Sequence, residues 1–170
     1  ILELSNITTN IDEQTIGFYI APKLNSIGRM DSAKVGLSFL MAEDASVAKS
    51  LAEQIVEYNV QRKEVTENIV KDVIETIENN DIKNKSVIMV SGDYHEGVLG
   101  IVASNIVEKY QRPVLIMNNK EGILKGSARS VFDFNIYTAI NKIGDKFIAY
   151  GGHTLAAGFS FDEQNFKEIE

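Results

Sequence analysis

From Ala45 to Asn79 the chain carries neither glycine nor proline, and apolar residues recur there at helical spacing: Val47, Leu51 and Ile55, then Val65, Ile69, Val73 and Ile77, with Val70 and Ile74 beside them. This pattern predicts one long helix, or two nearly continuous ones. Asp44 is placed to cap its N-terminus, and Asn79, Asn80 and Asp81 to stop it. The polar patch Tyr58-Asn59-Val60-Gln61-Arg62-Lys63 interrupts the stripe. A helix packed at both ends and solvated at its waist reads as a strut between two domains, although a kink there would give the same pattern.

After that helix, Ser86 to Val90 is a short continuous apolar run, residues 96–110 have helical spacing, and Pro113 to Met117 is a second apolar run. Strand, helix, strand in that order predicts a βαβ unit with buried parallel strands. Residues 123–130 read as a third strand, 135–143 as a short helix and 156–161 as a last strand. The fold class expected is α/β, a mixed sheet with flanking helices, preceded by the long helix. Residues 12–21 and 32–41 read as amphipathic helices on either side of a loop over 22–29.

With 170 residues and 44% hydrophobic content the chain can bury a substantial core, as one domain or one domain and part of another. A net charge of −7 argues against a surface that grips nucleic acid indiscriminately, so any such contact must be local. The absence of cysteine excludes disulfides and thiolate metal sites and makes a reducing cytoplasm the natural compartment. His95 and His153 have no second ligand at helical spacing, and no apolar stretch approaches the length of a membrane span. The opening residues show no signal peptide, and the first residue, Ile1, together with the helix-like ending, suggests a piece of a longer protein.

Four glycine-framed polar clusters stand out: Asn25-Ser26-Ile27-Gly28-Arg29, Asp93-Tyr94-His95-Glu96-Gly97, Gly126-Ser127-Ala128-Arg129-Ser130 and Gly151-Gly152-His153. Glycines let backbone N–H groups approach a ligand, while Ser, Arg and His supply donors suited to phosphate oxygens. Ser127 and Arg129 alternate along a strand and share one face, as a joint anion site requires; a surface Arg paired with a carboxylate is the bland reading. Gly97, Gly100, Ala103 and Ser104 share a helix face that something approaches closely, either a strand backbone or a ligand phosphate at the helix N-terminus. His95 and Glu96 serve there as a capping pair or face a bound anion. Gly151 and Gly152 are expected to form a tight turn that delivers His153 at its exit, where a packed core histidine is the alternative to a ligand contact.

The segments Ala21-Pro22-Lys23-Leu24-Asn25-Ser26-Ile27-Gly28-Arg29-Met30, His95-Glu96-Gly97-Val98-Leu99-Gly100-Ile101-Val102-Ala103-Ser104, Lys125-Gly126-Ser127-Ala128-Arg129-Ser130 and Gly151-Gly152-His153 together resemble the bacterial RecJ family of single-strand-specific DNA exonucleases, within the DHH phosphoesterase superfamily. The resemblance runs in order through nearly the whole chain. It implies that residues 1–43 end the DHH catalytic domain, 44–80 form a connecting helix and 81–170 the DHH-associated, substrate-binding domain. It further implies 5′-to-3′ degradation of single-stranded DNA in recombination and repair, with Mn2+ or Mg2+ held by the DHH core.

The Asp-His-His triplet of that core does not occur here, so neither catalytic residues nor metal ligands are expected in this chain. By the same resemblance Ser127 and Arg129 hold the 5′ phosphate, Asn25 and Arg29 lie near the cleft, and Gly151, Gly152 and His153 line it. His95, Glu96 and Gly97 are further candidates for the cleft lining. The implied partners are single-stranded DNA, the chain's own DHH domain and a following oligonucleotide-binding domain, with no membrane.

Two alternatives stand beside this reading. A small-oligonucleotide or cyclic-dinucleotide phosphodiesterase of the superfamily shares the glycine-histidine motif, with a third glycine where Tyr150 stands. The tail of alanyl-tRNA synthetases shares the fold as a non-catalytic RNA-binding module, without the 25–29 segment.

Overall fold

The computed structural model describes residues 1–5, 7 and 11–170. Contacts divide the chain into two units, Ile1–Val65 and Thr66–Glu170. The N-terminal unit has a π-helical segment, Thr15–Ile20, that runs directly into α1 (Ala21–Met30), followed by α2 (Lys34–Leu40) and the first part of α3 (Ala45–Asn79). The stretch over 22–29 is thus helix rather than the loop its proline and glycine suggested. Pro22 stands at the first positions of α1 with helix already before it, so its missing N–H is carried within a continuous helical run. Ile27, fully buried, anchors the segment, and Gly28 is carried at the usual cost of about 1 kcal/mol for a helical glycine.

The long helix forms as a single element. Asp44 Oδ1 accepts the backbone N–H groups of Ser46 (2.8 Å) and Val47 (3.1 Å), so the cap is where the sequence places it. Past Asn79 the chain leaves through Asp81 at φ 55°, a left-handed residue that ends the helix. The waist departs from the sequence reading. Asn59 is 6% exposed and accepts a hydrogen bond from Arg62 Nη2 at 3.2 Å, so the buried stripe continues through the polar patch with polar members instead of opening to solvent. Burial holds the Arg62 guanidinium below its ordinary pKa, and neighbouring Arg29 adds to the effect.

The C-terminal unit carries β1 (Ile88–Gly92), α4 (Leu99–Tyr110), β2 (Val114–Lys120), β3 (Ile123–Arg129), α5 (Ile136–Lys142), β4 (Ala149–His153), β5 (Ala156–Asp162) and α6 (Phe166–Ile169). The five strands form one sheet in the order β1-β2-β3-β5-β4. β1 and β2 are parallel, joined by α4 as the sequence pattern predicted, and the other pairings are antiparallel. The β2–β3 turn uses Glu121 (φ 53°) and Gly122 (φ 82°), the two left-handed residues a two-residue hairpin requires.

Residues of alternate parity separate the two faces. Met89, Leu115, Met117, Leu124, Ala128, Ala157, Phe159 and Phe161 join Ile136 and Ile140 of α5 and Phe147 in one buried cluster. Phe147 stands edge-on to Phe159 and Phe161, with ring centroids 6.0 and 5.5 Å away. The opposite face carries buried Ile88, Val90, Val114 and Ile116, and α4 packs across β2 and β3 on that side.

Candidate nucleic-acid interface

Strand register carries the geometry of the site. Val114 is paired with Arg129, Arg129 with Ala156, and Ala156 with His153. One step along, Ile116 is paired with Ser127, Ser127 with Gly158, and Gly158 with Gly151. Because side chains alternate along a strand, both rows lie on the face that α4 partly covers, about 7 Å apart. Arg129, Ser127, His153, Gly158 and Gly151 therefore surround one patch of sheet.

Half of that patch is roofed and half is bare. Over β3, a Cβ on Gly100 would lie 2.7 Å from Arg129 Nη2 and 3.2 Å from Ser127 Oγ. At Gly100 the close neighbours are thus these two polar side chains rather than a strand backbone. Over β5 and β4, a Cβ on Gly158 or Gly151 would meet no atom within 4 Å, and both residues are exposed. A shallow groove lined by Lys125, Ala149, Gly158 and Ser160 continues this floor along the strands.

Arg129 Nη1 donates to Ser127 Oγ at 2.8 Å and to the carbonyl of Ala128 at 2.8 Å. In the first bond the serine oxygen is the acceptor, so its hydroxyl proton remains available as a donor to another group. The pair presents a guanidinium edge beside a hydroxyl donor at the margin of an open floor, an arrangement that suits a phosphate oxygen cluster. Both side chains are partly buried, which limits screening of the charge. His153 is exposed at the end of the arginine row, so it is a rim residue and not a packed core histidine.

Gly151 and Gly152 do not form a turn. They lie inside β4, an edge strand, and the turn follows at Thr154 and Leu155. Each glycine has a separate reason. Gly151 leaves the floor bare, whereas Gly152 faces the other side, where a Cβ would lie 2.2 Å from the carbonyl oxygen of Ala156 and 2.6 Å from Ala157 Cα. Tyr150, between Phe147 and Asn141, packs its ring edge-on to Phe147 (5.8 Å) and donates its hydroxyl to Asn141 Oδ1 (2.9 Å). It is a supporting residue of the core face.

His95 acts as a cap: its Nδ1 accepts the N–H of Gly97 at 3.2 Å. Glu96 pairs with Lys125 (2.8 Å) and Lys120 (3.4 Å), which hold its carboxyl below the ordinary range, the Lys125 hydrogen bond being the larger cause. Glu96 thus adjoins the groove through Lys125, two residues from Ser127 on the same face. Asn25 and Arg29 lie on α1 of the N-terminal unit, both exposed. Sequence reasoning missed Lys125, Ser160 and Gly158 as the continuing floor. Only strand register reveals them, although an isolated glycine within a strand is a signal of close approach. Among the described residues no group of three His, Asp or Glu side chains is arranged to hold a metal ion, so the divalent metal that RecJ resemblance implies has no fitting donor set here.

The DHHA1 domain family matches residues 83–170. The chain is 32% identical over 160 residues to the single-stranded-DNA-specific exonuclease RecJ of Bacillus subtilis, covering 93% of this chain and 20% of that protein. It is 34% identical over 173 residues to the RecJ of Haemophilus influenzae, covering 95% and 30%. Among solved structures, RecJ of Thermus thermophilus in complex with Mn2+ superimposes with a TM-score of 0.85 at 30% identity, covering 99% of this chain and 25% of that one. A RecJ exonuclease bound to manganese gives 0.82 at 29% identity, covering 99% and 42%. The chain therefore spans less than a third of the length of these curated relatives.

Proposed function

The chain belongs to the DHHA1 domain family, and we propose that it is the strand-holding part of a RecJ-type exonuclease, one that seats the 5′ phosphate of single-stranded DNA for cleavage by metal ions bound elsewhere in the longer protein. The observation that carries this reading is the Ser127–Arg129 pair, set by Gly100 above the bare floor of Gly151 and Gly158. A terminal phosphate at the pair would accept from the guanidinium and from the serine hydroxyl. His153 would meet it from the rim, and the strand would run along the groove toward Lys125 and Ser160.

These residues bind and orient; they move no proton and make no bond. Mg2+ or Mn2+ on the DHH core would supply the Lewis acidity that activates water. By the resemblance, Asn25 and Arg29 would lie near the catalytic cleft of the longer protein. Orientation of the 5′ end is itself catalytic in effect, because a fixed terminal phosphate places a defined bond at the metal site. The acidic net charge fits a protein that grips the strand locally, through few phosphates, so binding should weaken only modestly with salt. A role in recombination and repair, which the resemblance implies, and a reducing cytoplasm, with which the absence of cysteine agrees, complete this reading.

The two alternatives are not favoured: the relatives reported above carry the exonuclease name, and Tyr150, where the phosphodiesterases have glycine, is built into the core. The test is to purify the full-length protein and follow 5′-labelled and 3′-labelled single strands and duplexes with Mg2+ or Mn2+. Stepwise loss from the 5′ end of single strands supports the reading, and exclusive hydrolysis of cyclic dinucleotides or none of any phosphodiester overturns it.

A further inference from the structure

Lys125 and Lys120 share one carboxylate. Glu96 Oε2 meets Lys125 Nζ at 2.8 Å and its Oε1 meets Lys120 Nζ at 3.4 Å, so Glu96 bridges the two lysines. One negative charge between two positive ones leaves this cluster cationic in a chain whose net charge is −7. The lysine side chains are 65% and 73% exposed and that of Glu96 33%. Ion pairs so open to solvent stabilise a fold weakly, and their partners exchange readily.

The position of Lys125 makes that exchange useful. Lys125 stands on β3 two residues from Ser127 and four from Arg129, so the three side chains leave the same face of the strand. It lies about 7 Å along the strand from Ser127, the reach of one extended nucleotide. It also lines the shallow groove that continues the bare floor. The carboxylate that holds it comes from the helical run that roofs the phosphate pair: Glu96 begins the turn leading into α4, and Gly100 of α4 sits over Ser127 and Arg129.

We propose that Lys125 takes the internucleotide phosphate next to the terminal one, and that Glu96 is its counterion in the empty groove, displaced from Lys125 when a strand binds. The inference rests on the proposed function. Displacement does not strand the carboxylate: Lys120 stays beside its other oxygen, and Glu96 lies in the first turn of a helical segment, where negative charge is favoured. The exchange discriminates by length. A strand brings a second phosphate to compete for Lys125, whereas a released 5′ mononucleotide brings only the one held at Ser127 and Arg129, and Glu96 reclaims the lysine. The groove thus favours a strand over the product that must leave.

The experiment measures binding to the full-length protein without divalent metal, so that nothing is cleaved, with 5′-phosphorylated oligo(dT) and thymidine 5′-monophosphate as ligands. Lys125→Gln should bind the oligonucleotide about three- to tenfold more weakly, with a log–log salt slope shallower by about 0.7, the share of one phosphate contact on a single strand. Glu96→Gln, which removes the competing charge, should bind it about two- to fivefold more tightly. Both effects should be much smaller with the monophosphate, which carries no second phosphate. Unchanged oligonucleotide affinity in Lys125→Gln overturns the contact. Unchanged or weakened affinity in Glu96→Gln overturns the exchange, and equal effects on the two ligands overturn both. Should Glu96→Gln lose its cooperative melt, Lys125→Gln and the charge-preserving Lys125→Arg, which should bind like the unaltered protein, decide. Arg129→Ala keeps the two readings apart: a loss there for both ligands with none in Lys125→Gln removes this inference alone, and no loss there for either ligand removes the phosphate seat on which it rests.

Discussion

Gly100 and Arg129 occupy space that only one of them can fill: the Cβ that Gly100 lacks would lie 2.7 Å from the arginine Nη2. The atom in the way is the tip of a flexible side chain, so Gly100→Ala leaves the fold intact and moves the guanidinium. Alanine also raises helix propensity by about 1 kcal/mol. The variant should melt at the same temperature or higher while losing about tenfold in kcat/KM on 5′-phosphorylated strands. Unchanged kinetics with an unchanged melt would mean that the guanidinium position is immaterial.

The two adjacent glycines of β4 should separate stability from binding. Gly152→Ala forces its Cβ against the Ala156 carbonyl oxygen, 2.2 Å away, and backbone cannot yield as a side chain can. It should cost at least about 1–3 kcal/mol, read as a lower denaturant midpoint. Gly151→Ala meets nothing within 4 Å and should keep the midpoint while weakening strand binding by narrowing the floor. Equal midpoints for the two variants would contradict the account of this strand.

Glu96 makes stability depend on pH on the acid side. Its carboxyl, ordinarily near 4.5, is lowered in the folded protein, first by Lys125. A depressed folded pKa gives stability that is present above the unfolded value and is lost as pH falls through the folded one. Melting temperatures of the unaltered protein and Glu96→Gln should therefore differ at pH 6 and converge as pH drops below about 4. A difference that does not shrink on acidification would show that the ion pairs with Lys120 and Lys125 are not its source.

Much of this architecture was legible in the sequence, and the reasons are local. The glycine-free stripe gave α3 its limits, Asp44 its cap and the two apolar runs the parallel pair with α4 between them. Alternation alone put Ser127 and Arg129 on one face. Where reading failed, tertiary packing overrode punctuation: burial of Ile27 carries α1 through Pro22 and Gly28, and pairing with β5 draws Gly151 and Gly152 into a strand. The floor at Gly158 could not be read, because register between distant segments decides it.

The central claim is that Arg129, seated beside Ser127, holds a terminal phosphate. It is tested most directly by kcat/KM of the full-length protein and Arg129→Ala on otherwise identical single strands ending in a 5′ phosphate or a 5′ hydroxyl, with melting temperature measured alongside. Loss of a charge-assisted contact of about 1.5–3 kcal/mol predicts a fall of about one to two decades on the phosphorylated strand and a much smaller one on the hydroxyl strand. Ser127→Ala should act in the same direction and less strongly. Equal losses on both strands at an unchanged melting temperature would contradict the assignment and leave Arg129 as an ordinary backbone contact.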